Sequence, residues 1–123
     1  MNNPIYHFEI PVVDLDRAIS FYGRVFNIVF DRQFIDGYEM AFFPRADDQP
    51  GASGALAKGD AYKPSQNGCL LYFDVDDIDK VLELAKAEGA RVLYPKKDIG
   101  AGGTVAEIED SEGNRIALNA VNP

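Results

Sequence analysis

Apolar and polar positions alternate along this chain in a pattern that occurs twice. Phe8, Ile10 and Val12 fall on every second position, the period of a strand with one buried face. A shift of 63 residues lays Leu71, Phe73 and Val75 on the same pattern. Each run leads to an aspartate, Asp14 or Asp77, and then to apolar residues at helical spacing. In the first half these are Leu15, Ala18, Ile19, Tyr22, Val25 and Phe26; in the second, Ile78, Val81, Leu82 and Ala85. The aspartates predict helix N-caps, because a carboxylate accepts from backbone N–H groups that the first turn leaves unpaired. The helices are expected to stop at Asn27 and near Gly89.

Strand-like segments follow each helix. Ile28–Phe30 and Tyr38–Phe43 flank the turn pair Asp36-Gly37, and Ala55-Leu56-Ala57 marks a short fourth strand. In the second half the strands are Arg91–Tyr94, Thr104–Glu109 and Arg115–Ala120, the last two joined by the turn Asp110–Asn114. The chain therefore predicts an α+β fold of two tandem βαβββ modules forming a cup-shaped mixed sheet. It is read as a single domain over residues 1–123, with module one at about 4–58, a linker at about 59–68 and module two at about 69–121. Tyr62 and Lys63 in the linker are open to three readings: ligand contacts, subunit contacts or plain connection. Pro95–Gly103 is expected to be a solvated connection; the alternative is a basic loop that closes over an anionic ligand. Its glycines open no helix and precede no Lys-Ser/Thr, so it is not a nucleotide loop.

Composition narrows the partners. Twenty acidic residues against twelve basic ones give a net charge of −8, which repels phosphate backbones and makes nucleic acid an unsuitable partner. No apolar run approaches the roughly 20 residues of a membrane helix, and the start lacks the basic and apolar regions of a signal peptide. The single cysteine, Cys69, cannot pair within the chain and is read as a small buried hydrophobe. These features together predict a cytoplasmic protein.

The run His7-Phe8-Glu9-Ile10-Pro11, followed by Asp14-Leu15-Asp16-Arg17-Ala18-Ile19-Ser20-Phe21-Tyr22, resembles the opening of glyoxalase/bleomycin-resistance/dioxygenase proteins, the vicinal-oxygen-chelate superfamily. Val75-Asp76-Asp77-Ile78-Asp79 and Asp110-Ser111-Glu112-Gly113-Asn114-Arg115 are similar to its second-half signatures. The likeness spans the whole chain and is nearest to the branch related to lactoylglutathione lyase. In metal-dependent members one ligand comes from each of up to four strands. The resemblance puts the first of these positions on His7, its repeat partner on Leu70 and the last on Ala117. The fourth strand offers neither carboxylate nor imidazole. The resemblance thus implies a member without the usual metal set, for which no cofactor is expected; a divalent metal held by His7 and Glu9 is the alternative.

Strand alternation puts His7 and Glu9 on one face, and the equivalent strand contributes Leu70, Tyr72 and Asp74. The last strand adds Ala117 and Asn119, with Arg115 beside them. With Tyr38, they give the candidate ligand contacts His7, Glu9, Tyr38, Leu70, Tyr72, Ala117 and Asn119. Tyr38 and Tyr72 have a simpler reading as core aromatics with satisfied hydroxyls. Imidazole is the side chain suited to proton transfer near neutrality, so His7, with Glu9 beside it, is the candidate catalytic base. Two functions fit: a small-molecule-binding protein, or a lyase or isomerase acting on a small oxygenated or thiol-conjugated substrate. A two-fold homodimer is the expected assembly.

Overall fold

The computed structural model describes residues 3–100 and 102–122. The chain divides into two compact units between Pro64 and Ser65. Each holds one helix and a four-stranded mixed sheet, so the fold is α+β and the repeat seen in the sequence is a repeat of topology.

In the first unit β1 (His7–Val12) leads into α1 (Leu15–Phe26), followed by β2 (Asp31–Ile35), β3 (Tyr38–Phe42) and β4 (Ser53–Lys58). The sheet order is β1-β4-β3-β2, with β1 and β4 parallel and the other pairs antiparallel. In the second unit β5 (Tyr72–Asp74) leads into α2 (Ile78–Ala87), then β6 (Val92–Gly100), β7 (Gly103–Glu109) and β8 (Arg115–Val121). The order β5-β8-β7-β6, with β5 and β8 parallel, reproduces the first sheet strand for strand.

The caps form as the sequence predicts. Asp14 accepts from the Arg17 amide at 3.0 Å, and Asp77 accepts from the Lys80 amide at 3.2 Å. Each cap is worth about 1 kcal/mol. α1 ends on Asn27 in the left-handed region, and Gly89 follows α2 with a positive φ of 88°. Asp36 and Gly37 both have positive φ, the geometry that lets a two-residue turn match the twist of its strands. The apolar stripes are core: Leu15, Ala18, Phe21, Tyr22 and Val25 are buried on α1, and Ile78, Val81, Leu82 and Ala85 on α2. Phe21 joins the buried set, whereas Ile19 and Phe26 are half-buried.

Four expectations are corrected. The second strand is not Ile28–Phe30 but the polar Asp31–Ile35. It is an edge strand, exposed throughout, so no apolar period marks it. The supposed connection Pro95–Gly103 is largely strand: β6 runs to Gly100 and pairs with β7 through several register shifts. Those irregularities, with Pro95 and the lysines, hide its strand character; Ala101 lies outside the described residues. Cys69 is exposed rather than buried, because β5 begins only at Tyr72 and the chain before it lies at the surface. For the same reason Leu70, half-buried, precedes the strand instead of lying in it.

Candidate functional site

The face of the first sheet turned away from α1 gathers the side chains with chemistry. Phe43 fixes which face is which: its ring meets Phe8 at 5.3 Å and Tyr22 of α1 at 5.9 Å, both edge-on. Phe8 therefore points toward the helix, and alternation turns His7 and Glu9 the other way. On that side Met40, Ala55 and Ala57 form a small buried cluster with Tyr38, Phe42 and Tyr62 packed against it. The parallel register pairs Glu9 with Ala55, and Ala55 with Phe42. Alanines at the centre leave a floor of small residues, rimmed by aromatic rings and the two polar groups of β1.

His7 and Glu9 face each other across 3.4 Å, from Nε2 to Oε2, and each side chain is about one-third exposed, at 35% and 33%. The second carboxylate oxygen is taken by a residue outside the predicted set: the Tyr62 hydroxyl donates to Oε1 of Glu9 at 2.7 Å. Tyr62 packs edge-on against Tyr38, with ring centroids 5.3 Å apart, and the Tyr38 hydroxyl donates to Asp60 at 3.3 Å. His7 lies beside the Phe42 ring at 6.1 Å. The hydrogen bond to Glu9, with desolvation and the charge of Glu9 adding to it, pushes the Tyr62 phenol up to about 12. The charge of Asp60, assisted by burial and by its hydrogen bond, holds Tyr38 above its ordinary value.

A raised tyrosine fixes the sign of a pH effect. The bond between Tyr62 and Glu9 contributes in full below the ordinary phenol range near 10.0 and is lost as pH rises through about 12. An alkaline titration followed by tyrosinate absorbance should therefore lose a late step near 12 in Tyr62→Phe. Loss of a step near 10 instead would contradict the hydrogen bond.

The second unit places Tyr72, Ala117 and Glu107 in one row of register, and Asp74, Asn119 and Val105 in the next. Tyr72 is 56% exposed, so its reading as a core aromatic does not hold. Ala117 is fully buried. Asn119 is half-buried, with its side-chain oxygen close over Gly103, where an added Cβ would lie 3.3 Å away. Beside Ala117, Arg115 is paired with Glu107. Arg91 grips Glu109 through two nitrogens and holds that carboxyl below its usual range, opposed by burial and helped by Gln66. The expected residues thus fall into two groups, His7, Glu9 and Tyr38 on one unit and Leu70, Tyr72, Ala117 and Asn119 on the other.

Tyr62 is the residue that sequence reasoning left unassigned. Its signal was an aromatic side chain in a Gly/Pro-rich connection, where no core needs one. A shallow groove of about 270 Å³ lies between Leu15 of α1 and the β2–β3 hairpin; it touches Met40 of the buried cluster but includes none of the predicted site residues. Among the described residues no group of three or more His, Cys, Asp or Glu side chains is disposed to hold a metal ion. Among them, too, no helix is long and apolar enough to cross a membrane.

This fold matches known proteins along nearly the whole of this chain. The family model described as Glyoxalase/Bleomycin resistance protein/Dioxygenase superfamily matches residues 5–118, and the chain belongs to that superfamily. It is 30% identical to a probable lactoylglutathione lyase of Vibrio cholerae, over 95% of this chain and 90% of that protein. Among solved structures it resembles TnmS3, an antibiotic binding protein from Streptomyces sp. CB03234, with 25% identity, a TM-score of 0.69 and coverage of 98% and 97% of the two chains. A glyoxalase/bleomycin resistance protein/dioxygenase family enzyme from Burkholderia phytofirmans shares the fold, at 23% identity, a TM-score of 0.71 and coverage of 94% and 96%.

Proposed function

We propose that this chain is a small-molecule-binding member of the superfamily that works without the usual metal-ligand set, with His7 and Glu9 as its principal polar contacts. The observation that carries this reading is the state of Glu9. Both carboxylate oxygens already have partners within the chain, Tyr62 at 2.7 Å and His7 at 3.4 Å. A divalent cation normally takes about three protein ligands, and this donor set supplies two, one of them engaged by a phenol. Leu70 and Ala117, at the positions where the family resemblance expects further ligands, have no donor atoms to offer. The donors do not fit a resident metal. Aromatic rings around a floor of small apolar residues, with a few polar groups, suit an organic ligand. Likeness to an antibiotic binding protein agrees with that class of function. The protein is proposed to act in the cytoplasm as a homodimer.

The test is a thermal-shift screen of the purified protein against hydrophobic cations, aromatic metabolites and thiol conjugates, with metal content measured in the same dialysed sample. Binding at a hundredfold excess over Kd should add about 2.7 kcal/mol of stability. Stabilisation by one ligand class, with far less than one metal per chain, is the expected result. One equivalent of zinc, nickel, iron or manganese would overturn the reading.

The 30% identity to a probable lactoylglutathione lyase favours a second reading, a lyase or isomerase with His7 as base. His7→Ala separates the two. Turnover falling by about 10²–10⁴-fold with ligand affinity retained supports the enzyme. A parallel loss of affinity supports binding.

A further inference from the structure

We infer that Tyr62 is the positioning residue of this site: its hydroxyl fixes the Glu9 carboxylate against His7, so that the neutral imidazole carries its proton on Nε2 and offers Nδ1 as its acceptor. This rests on the reading of His7 and Glu9 as the ligand-facing pair, and it adds the device that holds them and the kind of group they receive.

The chemistry of the pair sets the tautomer. A carboxylate only accepts hydrogen bonds, so the nitrogen that faces Oε2 of Glu9 must be the donor. At 3.4 Å that contact is long for N–H···O, whereas the Tyr62 contact to Oε1 is short at 2.7 Å. Of the two partners, the phenol is therefore the one that determines where the carboxylate sits.

Tyr62 is itself held. Its amide donates to the Gly59 carbonyl at 3.0 Å, closing a turn directly after β4. Its ring stands at 88° to Tyr38. Tyr38 in turn lies against Gly59, where a Cβ would fall 2.1 Å from the ring, and its hydroxyl is tied to Asp60. The segment from Gly59 to Tyr62 is thus a built strap that returns from the end of β4 and delivers one hydroxyl to Glu9. Nothing in a plain linker calls for the glycine under a ring, the perpendicular pair of tyrosines and the 2.7 Å contact together.

Among the described residues Nδ1 of His7 has no protein partner. A ring protonated on Nε2 presents a lone pair there, so the group it receives is a donor: a hydroxyl, thiol, ammonium or acidic C–H of a small molecule.

His7 is the chain's single histidine, so every imidazole signal belongs to it. The experiment is NMR of the uniformly labelled full chain without ligand, at a pH where imidazole is neutral. It records the ring-nitrogen shifts of His7 and the χ1 couplings of His7 and Glu9. The wild type should show one tautomer, protonated on Nε2, and one rotamer for each side chain. Tyr62→Phe keeps the ring packed on Tyr38 and removes the hydroxyl, and there both side chains should average between rotamers. Protonation on Nδ1, or averaging already in the wild type, overturns the proposal even if the variant does not fold. A folded Tyr62→Phe indistinguishable from wild type overturns it equally. No ligand enters the measurement, so a failed ligand screen counts against the proposed function and leaves this result to stand or fall by itself.

Discussion

Gly54→Ala is expected to destabilise the protein by about 3 kcal/mol, read as a lower urea midpoint with an unchanged slope. Gly54 lies in β4 directly opposite Phe8 of β1 and is buried. A Cβ added there would fall 2.0 Å from the Phe8 carbonyl oxygen and 2.8 Å from its carbonyl carbon. Those atoms are backbone, so no rotamer change relieves the clash, and the β1–β4 pair must part. The pair lies at the root of the candidate site. β1 carries His7 and Glu9, β4 carries Ala55 of the floor, and the strap bearing Tyr62 leaves from the end of β4. Displacing one strand against the other should also lengthen the contact between Tyr62 and Glu9, and with it lower the Tyr62 phenol from about 12 toward 10.0. An unchanged midpoint would mean that the strands are not packed as closely as described. The domain's total stability is of the order of 5–15 kcal/mol, so a loss of this size is a large share of it.

The parts of the fold legible in the sequence are those governed by local rules. Asp14 and Asp77 announce their caps because a capping carboxylate acts on amides three residues away. Asp36-Gly37 announces its hairpin because few residue pairs accept positive φ at both positions. The helix stripes show because burial on one face imposes a period. β2 and the far half of β6 were not legible, since an exposed strand held by its neighbour's backbone has no burial pattern to display. The site divides in the same way. His7 and Glu9 are two apart on a strand, so alternation alone places them on one face. Their link to Tyr62 spans 53 positions in sequence and depends on how a connection folds back over β4, which no local period encodes. The exposure of Tyr72 is likewise a property of three-dimensional packing, and a strand pattern predicts only the side it faces.

Removing the carboxylate of Asp110 is the second change with a large expected effect. Asp110 and Asn114 are the two buried polar residues of the described core, at 4% and 6% exposure. Oδ1 of Asp110 accepts from the Glu112 amide at 2.8 Å and from the Asn114 amide at 2.9 Å, while Oδ2 accepts from the Asn114 side chain at 3.0 Å. Asn114 then accepts the Ser65 amide at 3.0 Å, so one carboxylate organises the β7–β8 turn and, through Asn114, the chain before β5. Gly113 completes the turn with a positive φ of 91°. Asp110→Ala removes the carboxylate that accepts these three N–H bonds, each lost bond in this buried or part-buried turn costing roughly 1–3 kcal/mol, and the total should reach about 3 kcal/mol. Asp110→Asn keeps an oxygen for the amides but sets its own NH₂ against that of Asn114, and should cost about half as much. Urea unfolding of the two variants checks the order. Equal losses would mean that charge or volume matters more than acceptor geometry, whereas the predicted ranking assigns this turn's role to the acceptors that Asp110 supplies.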